Sequence, residues 1–138
     1  MSHAVQNLMD AQQKAMKDRP KVGGFPYLAE SLRRAGVIKN IWSLPGCQSL
    51  FICKEGTVVQ QGTPLVSGMV EVPKFNKDAL IVALRTDQAG NSTFPEFLLA
   101  TWKAGIVSYE VDFEKRTVIY CGALGEEYLE SYPAVEIK

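Results

Sequence analysis

Few residues in this chain are of types that do chemistry, and their spacing decides what they can do. Three cysteines occur, Cys47, Cys53 and Cys121, with no Cys-x-x-Cys pair among them. A nucleophilic thiol needs a base or a positive field beside it to ionise. The single histidine is His3, close to the N-terminus. A Cys–His nucleophile is therefore close to excluded, and a four-ligand Cys/His zinc set is not on offer. Cys53 adjoins Lys54, but neighbours on a strand point to opposite faces. Cys121 follows Tyr120 in an apolar run. Both read best as structural thiols.

Carboxylates are the next candidates. Glu110, Asp112 and Glu114 alternate with Tyr109, Val111 and Phe113. Aligned acids can hold a cation or move protons. The same alternation is what a half-solvated strand shows, and that reading is favoured. Glu126, Glu127 and Glu130 cluster near the C-terminus. They read as the charged guard of an edge strand. Gly23-Gly24 precede a helix start, where an anion can sit, but no phosphate-loop lysine follows. Arg33-Arg34 read as a solvated pair on a helix.

Large amphipathic rings remain: Trp42, Trp102, Tyr109, Tyr120 and Tyr128. Such rings line pockets and seed interfaces, though they are also ordinary core residues. Trp42, Tyr109, Trp102 and Tyr120 are the candidate ligand-binding residues. Trp42 and Tyr109 come first, because they fall on corresponding strands where a cleft between two halves would lie.

Those halves are the main organising feature of the chain. Phe25-Pro26 and Phe94-Pro95 open two segments 69 residues apart, and 69 is half of the 138-residue length. Ala35-Gly36 and Ala104-Gly105 match at the same offset. So do Leu50 and Ile119, Phe51 and Tyr120, and Gly56 and Gly125. Each match has one structural job. The prolines suit a first helical turn. Gly36 and Gly105 suit the left-handed position just beyond a helix. Gly56 and Gly125 suit a tight turn between strands.

Each half reads as two helices and three strands. In the first, helices are expected at about Ala4–Lys17 and Pro26–Ala35. Strands follow at Val37–Leu44, Ser49–Lys54 and Thr57–Gln61. In the second, Asn76 caps a helix through about Gln88, and another runs Pro95–Ala104, burying Phe97, Leu98, Thr101 and Trp102. Strands follow at Ile106–Phe113, Thr117–Gly122 and Glu126–Ser131. A 69-residue unit alone would bury only about 60% of its unfolded surface. The expected fold is therefore one α+β domain of two tandem ααβββ repeats, packed pseudo-symmetrically, with antiparallel sheet layers covered by helices.

Composition sets the outer limits. Fifteen basic residues balance fifteen acidic ones, and 46% of residues are hydrophobic. That argues against a basic nucleic-acid binder and an acidic disordered tail. No apolar run reaches the roughly 18 residues of a membrane span. The N-terminus lacks the basic-then-apolar pattern of a secretory signal. A cytoplasmic protein without cofactor, nucleic acid or membrane partner is expected.

The stretch from Gln88 to Pro133 resembles the C-terminal half of a small bacterial family of unknown function, often labelled "phage envelope protein". That family also shows two similar halves, each with an F-P helix, an A-G-V turn and a tyrosine-rich hairpin. In the first half, IKNIWSLPGCQSL stands where the family has an aromatic-then-acidic strand. The resemblance implies the repeated fold and no established activity. The reading favoured is a non-enzymatic protein that binds a small molecule or a protein partner, with a homodimer as a compatible assembly. The alternatives are a small enzyme using carboxylate or tyrosine chemistry and a phage-derived structural component.

Overall fold

Each helix begins and ends where its local sequence allows. In the structure, a computed structural model describing residues 2–137, α1 spans His3–Asp18. The Ser2 side chain accepts from the Val5 N–H at its start. Helix α2 spans Gly24–Arg34 and has no side-chain cap. Helix α3 spans Lys77–Gln88, with Asn76 capping the Ala79 N–H. Helix α4 spans Phe94–Lys103 behind a full capping box, Thr93 with Glu96, and a proline in its first turn. Reciprocal caps of this kind satisfy donors that a helix leaves orphaned. Gly36 and Gly105 follow α2 and α4 with φ of 97° and 88°, the left-handed stop expected of them.

Strands β1 (Val37–Ser43), β2 (Gln48–Cys53) and β3 (Gly56–Gln61) form one antiparallel meander. Strands β4 (Ile106–Asp112), β5 (Thr117–Gly122) and β6 (Glu127–Ser131) form another. The helix-helix-three-strand order thus occurs twice, in a mixed α+β fold. The two three-stranded units meet edge to edge. β1 pairs antiparallel with β4, which gives one six-stranded sheet in the order β3-β2-β1-β4-β5-β6.

The seam fixes the symmetry. Ile41 pairs with Glu110, its own counterpart 69 residues on. The N–H of Leu44 donates to Val107 O, and the N–H of Phe113 donates to Ile38 O. These two bonds are each other's images. Both first strands shift register at corresponding places, between Val37 and Lys39 and between Ile106 and Ser108. Among the described residues, the only two non-glycines with positive φ, Cys47 and Arg116, are counterparts as well.

All four helices lie on one face of the sheet. Gln12 of α1 reaches Gln60. Lys77 of α3 sits 5.7 Å over the Tyr128 ring. Phe94 of α4 packs on Trp42, and α2 packs with α1 and β1. The core between the layers includes Leu8, Leu32, Phe51, Leu84, Phe97, Trp102, Val111, Phe113 and Tyr120. The expected buried face of α4, Phe97, Leu98, Thr101 and Trp102, is the buried face observed.

Candidate functional site

Register places the aromatic candidates in a row. On the helix-covered face, Trp42 of β1 stands opposite Tyr109 of β4, Tyr109 opposite Tyr120 of β5, and Tyr120 opposite Tyr128 of β6. Trp42 and Tyr109 stack at 6.0 Å, and Tyr109 meets Tyr120 at 5.5 Å. Phe94, at the start of α4, closes on Trp42 edge-on at 5.5 Å. Such geometries suit the ring quadrupole. Trp102 lies apart from this row, buried on α4, with no ring contact to it.

The row is packed. Tyr109 and Tyr120 are each 6% exposed. Burial drives the hydroxyl pKa of both well above the ordinary tyrosine range. Neither phenol is therefore poised as a base near neutral pH. Trp42 and Tyr128, both half-buried, and Phe94, exposed, bring the cluster to solvent. Asp87, beside the cluster at the end of α3, has its pKa raised by burial and accepts from the Ser92 hydroxyl at 3.2 Å.

The thiols follow the same logic. Burial raises the pKa of Cys47, Cys53 and Cys121 alike. All three are free, and at neutral pH they stay protonated. His3 lies against Glu55 at 3.1 Å. Among the described residues, no group of three or more His, Cys, Asp or Glu is placed to hold a metal ion.

The aligned carboxylates fall on the opposite, helix-free face. Asp112 stands across the seam from Lys39 and accepts from the Glu114 and Lys115 N–H groups in the turn that follows. Glu114 lies beyond the strand, in that turn. The three acids therefore spread along an open surface and its rim. In the other cluster, Glu130 turns to the helix side and meets Arg85 of α3 at 2.6 Å.

Sequence reasoning did not foresee what else that helix-free face carries. Its middle cross-strand row runs Val59, Leu50, Ile41, Glu110, Ile119 and Leu129, one residue from each strand in sheet order. Val59 is 58% exposed, Leu50 37% and Leu129 62%. The flanking rows are mostly polar. One holds Thr57, Ile52, Lys39, Asp112, Thr117 and Ser131; the other holds Gln61, Gln48, Ser43, Ser108, Cys121 and Glu127. The period-two pattern of each strand contains this information. What it lacks is which strands stand side by side, and the row exists only after β1 joins β4.

Comparison with known proteins places the chain in a family without a described activity. A family model described as "Protein of unknown function (DUF1398)" matches residues 13–130. The "Uncharacterized protein Rv2012" of Mycobacterium tuberculosis strain H37Rv is 52% identical over 136 residues, covering 99% of this chain and 83% of that one. The "Uncharacterized protein Mb2035" of Mycobacterium bovis matches to the same extent.

Proposed function

The chain belongs to the DUF1398 family, and from that premise we propose that it is a non-enzymatic binding protein whose contact surface is the helix-free face of its sheet. One observation carries this reading: apolar side chains from five of the six strands, Val59, Leu50, Ile41, Ile119 and Leu129, line up in one row, broken at β4 by Glu110, on a face that no helix covers. Exposed apolar strips with polar borders are the usual mark of protein contact. The charges on the face state what kind of partner fits. Glu110, Asp112 and Glu127 lie on its second half, against Lys39 on its first. The complementary surface is a protein with an apolar strip bordered by Lys and Arg on one side. Thiols whose pKa burial raises, the buried hydroxyls of Tyr109 and Tyr120, and the spread of Glu110, Asp112 and Glu114 along an open surface favour binding over catalysis.

Site-specific photo-crosslinking in the host tests this. A crosslinker at Ile119 or Leu50 is expected to capture one protein through a basic-rimmed apolar surface, whereas one at Val82 on α3 is not. Glu110→Lys with Asp112→Lys is expected to abolish the capture. Equal capture from both faces, or capture insensitive to the charge reversal, would contradict the proposal. The aromatic seam supports a second reading, because Trp42 and Phe94 form a ring pair that reaches solvent. A flat small molecule would stack there, and its retention would be lost in Trp42→Ala. The phage-component reading requires a large regular assembly, which the mass of the purified protein reveals directly.

No helix of the described residues is long and apolar enough to cross a membrane.

A further inference from the structure

The two outer strands of the sheet are counterparts, yet they are finished differently. β6 carries Glu127 and Glu130, with Glu126 just before it, and Arg85 leans onto it from α3. Charges of this kind discourage a further strand from pairing. β3 reads Gly-Thr-Val-Val-Gln-Gln, without a charge or a proline.

The ladder shows which backbone groups β3 leaves free. Hydrogen-bonded and non-bonded pairs alternate along an antiparallel pair. The Gly62 N–H donates back to Cys47 O at 2.8 Å. Counting back from that bond, Val58 and Gln60 bond to β2, so Thr57, Val59 and Gln61 turn their N–H and C=O outward. Beside this edge runs a groove between α1 and β3, lined by Val5, Leu8 and Met9 on one side and Val58 and Gln60 on the other.

We infer that the β3 edge is a homodimer interface, at which β3 of a second copy pairs antiparallel about a two-fold axis at Val59 and extends the sheet into the partner. Strand addition of this kind combines main-chain bonds with pockets for alternate side chains. About that axis Val59 meets the partner's Val59, and Thr57 meets the partner's Gln61. Every outward N–H and C=O finds its mate. Val58 and Gln60 of the incoming strand enter the groove beneath α1. No charged residue of β3 enters the seam, whereas the same operation at β6 would take Glu127 and the Arg85-paired Glu130 of each copy out of water. Isologous pairing is also the commonest form of assembly. The inference rests on the edge backbone and stands apart from the partner proposed for the sheet face, which it would double in length.

Native mass spectrometry and sedimentation of the full chain test it. The wild type is expected to be a dimer. Val59→Pro removes one outward N–H that the protein's own ladder does not use, so it is expected to be a monomer with unchanged far-UV circular dichroism. Val59→Lys places two like charges at the axis and is expected to do the same. Leu129→Pro, at the outward position of β6, should leave the dimer intact. A wild-type monomer at every concentration, or a dimer that survives both Val59 variants while they remain folded, would overturn the inference.

Discussion

The first and second halves share a topology almost residue for residue, yet they are packed unequally. Among the described residues, nine buried apolar residues lie in the first half and thirteen in the second, and only the second half's set is rich in aromatics. Its buried set includes Phe97, Trp102, Tyr109, Phe113 and Tyr120, against Phe51 alone in the first. The difference is also chemical. The first half buries Asn40, whose amide donates to the Ser49 hydroxyl at 2.6 Å and to Leu50 O at 3.0 Å. Tyr109 and Val118 take those positions in the second. One backbone plan thus tolerates either a polar or an apolar interior. The half with the larger apolar core is best placed to anchor the fold. The lighter half carries the uncharged outer strand.

The sharpest way to break that comparison is to truncate the same position in both halves. Trp102 is buried on α4, and its counterpart Arg33 is exposed on α2. Trp102→Ala is expected to lower unfolding stability by about 3–5 kcal/mol. Arg33→Ala should leave it nearly unchanged, because an exposed ion pair contributes little. Urea denaturation of both variants checks this, and equal losses would show that the halves share the burden.

The two helix-stop glycines separate next. Both have positive φ, but a Cβ at Gly36 would meet only the Lys54 side chain, at 3.8 Å. At Gly105 it would lie 2.5 Å from the Lys74 carbonyl oxygen. Gly36→Ala is expected to cost about 1–2 kcal/mol, the left-handed penalty alone. Gly105→Ala should cost clearly more, because backbone must move as well. Thermal unfolding ranks them, and the reverse order would contradict the packing described around Lys74 and Phe75.

The smallest effect is confined to acid. The hydrogen bond from Arg33, opposed by partial burial and joined by Arg34, lowers the Glu30 pKa from 4.5 to about 2. A carboxyl depressed in the folded state stabilises above its unfolded pKa and loses that contribution as pH falls through the folded value. The loss should therefore fall between about pH 4.5 and pH 2. Leu99 holds the matching place in the second half, so the pair has no counterpart there. Glu30→Gln is expected to flatten the stability profile in that window, and an unaltered profile would exclude the pair as a contributor.

Much of the fold was legible because local rules recur at each end of the repeat. Asn76 announces α3 by its side chain, and Gly36 and Gly105 mark two helix ends by what only glycine does easily. Tyr109, Val111 and Phe113 reveal the buried face of β4 by period alone. The joining of β1 to β4 was not legible. Cross-strand partners separated by 69 residues leave no trace in either strand's own pattern. For the same reason Trp42 and Tyr109 could be named as corresponding residues, but their direct stacking could not be foreseen. The apolar row on the free face was hidden likewise, since Val59, Ile41 and Leu129 look like scattered residues until the sheet orders them.

Native-state hydrogen exchange tests the division between an anchoring half and a lighter half most directly. Unequal packing predicts that amides of β4 and β5 exchange only through global unfolding. Those of β1 and β2 bonded within the first half should open at a lower free energy. Equal protection in the two halves, or slower exchange in β2 than in β5, would contradict it.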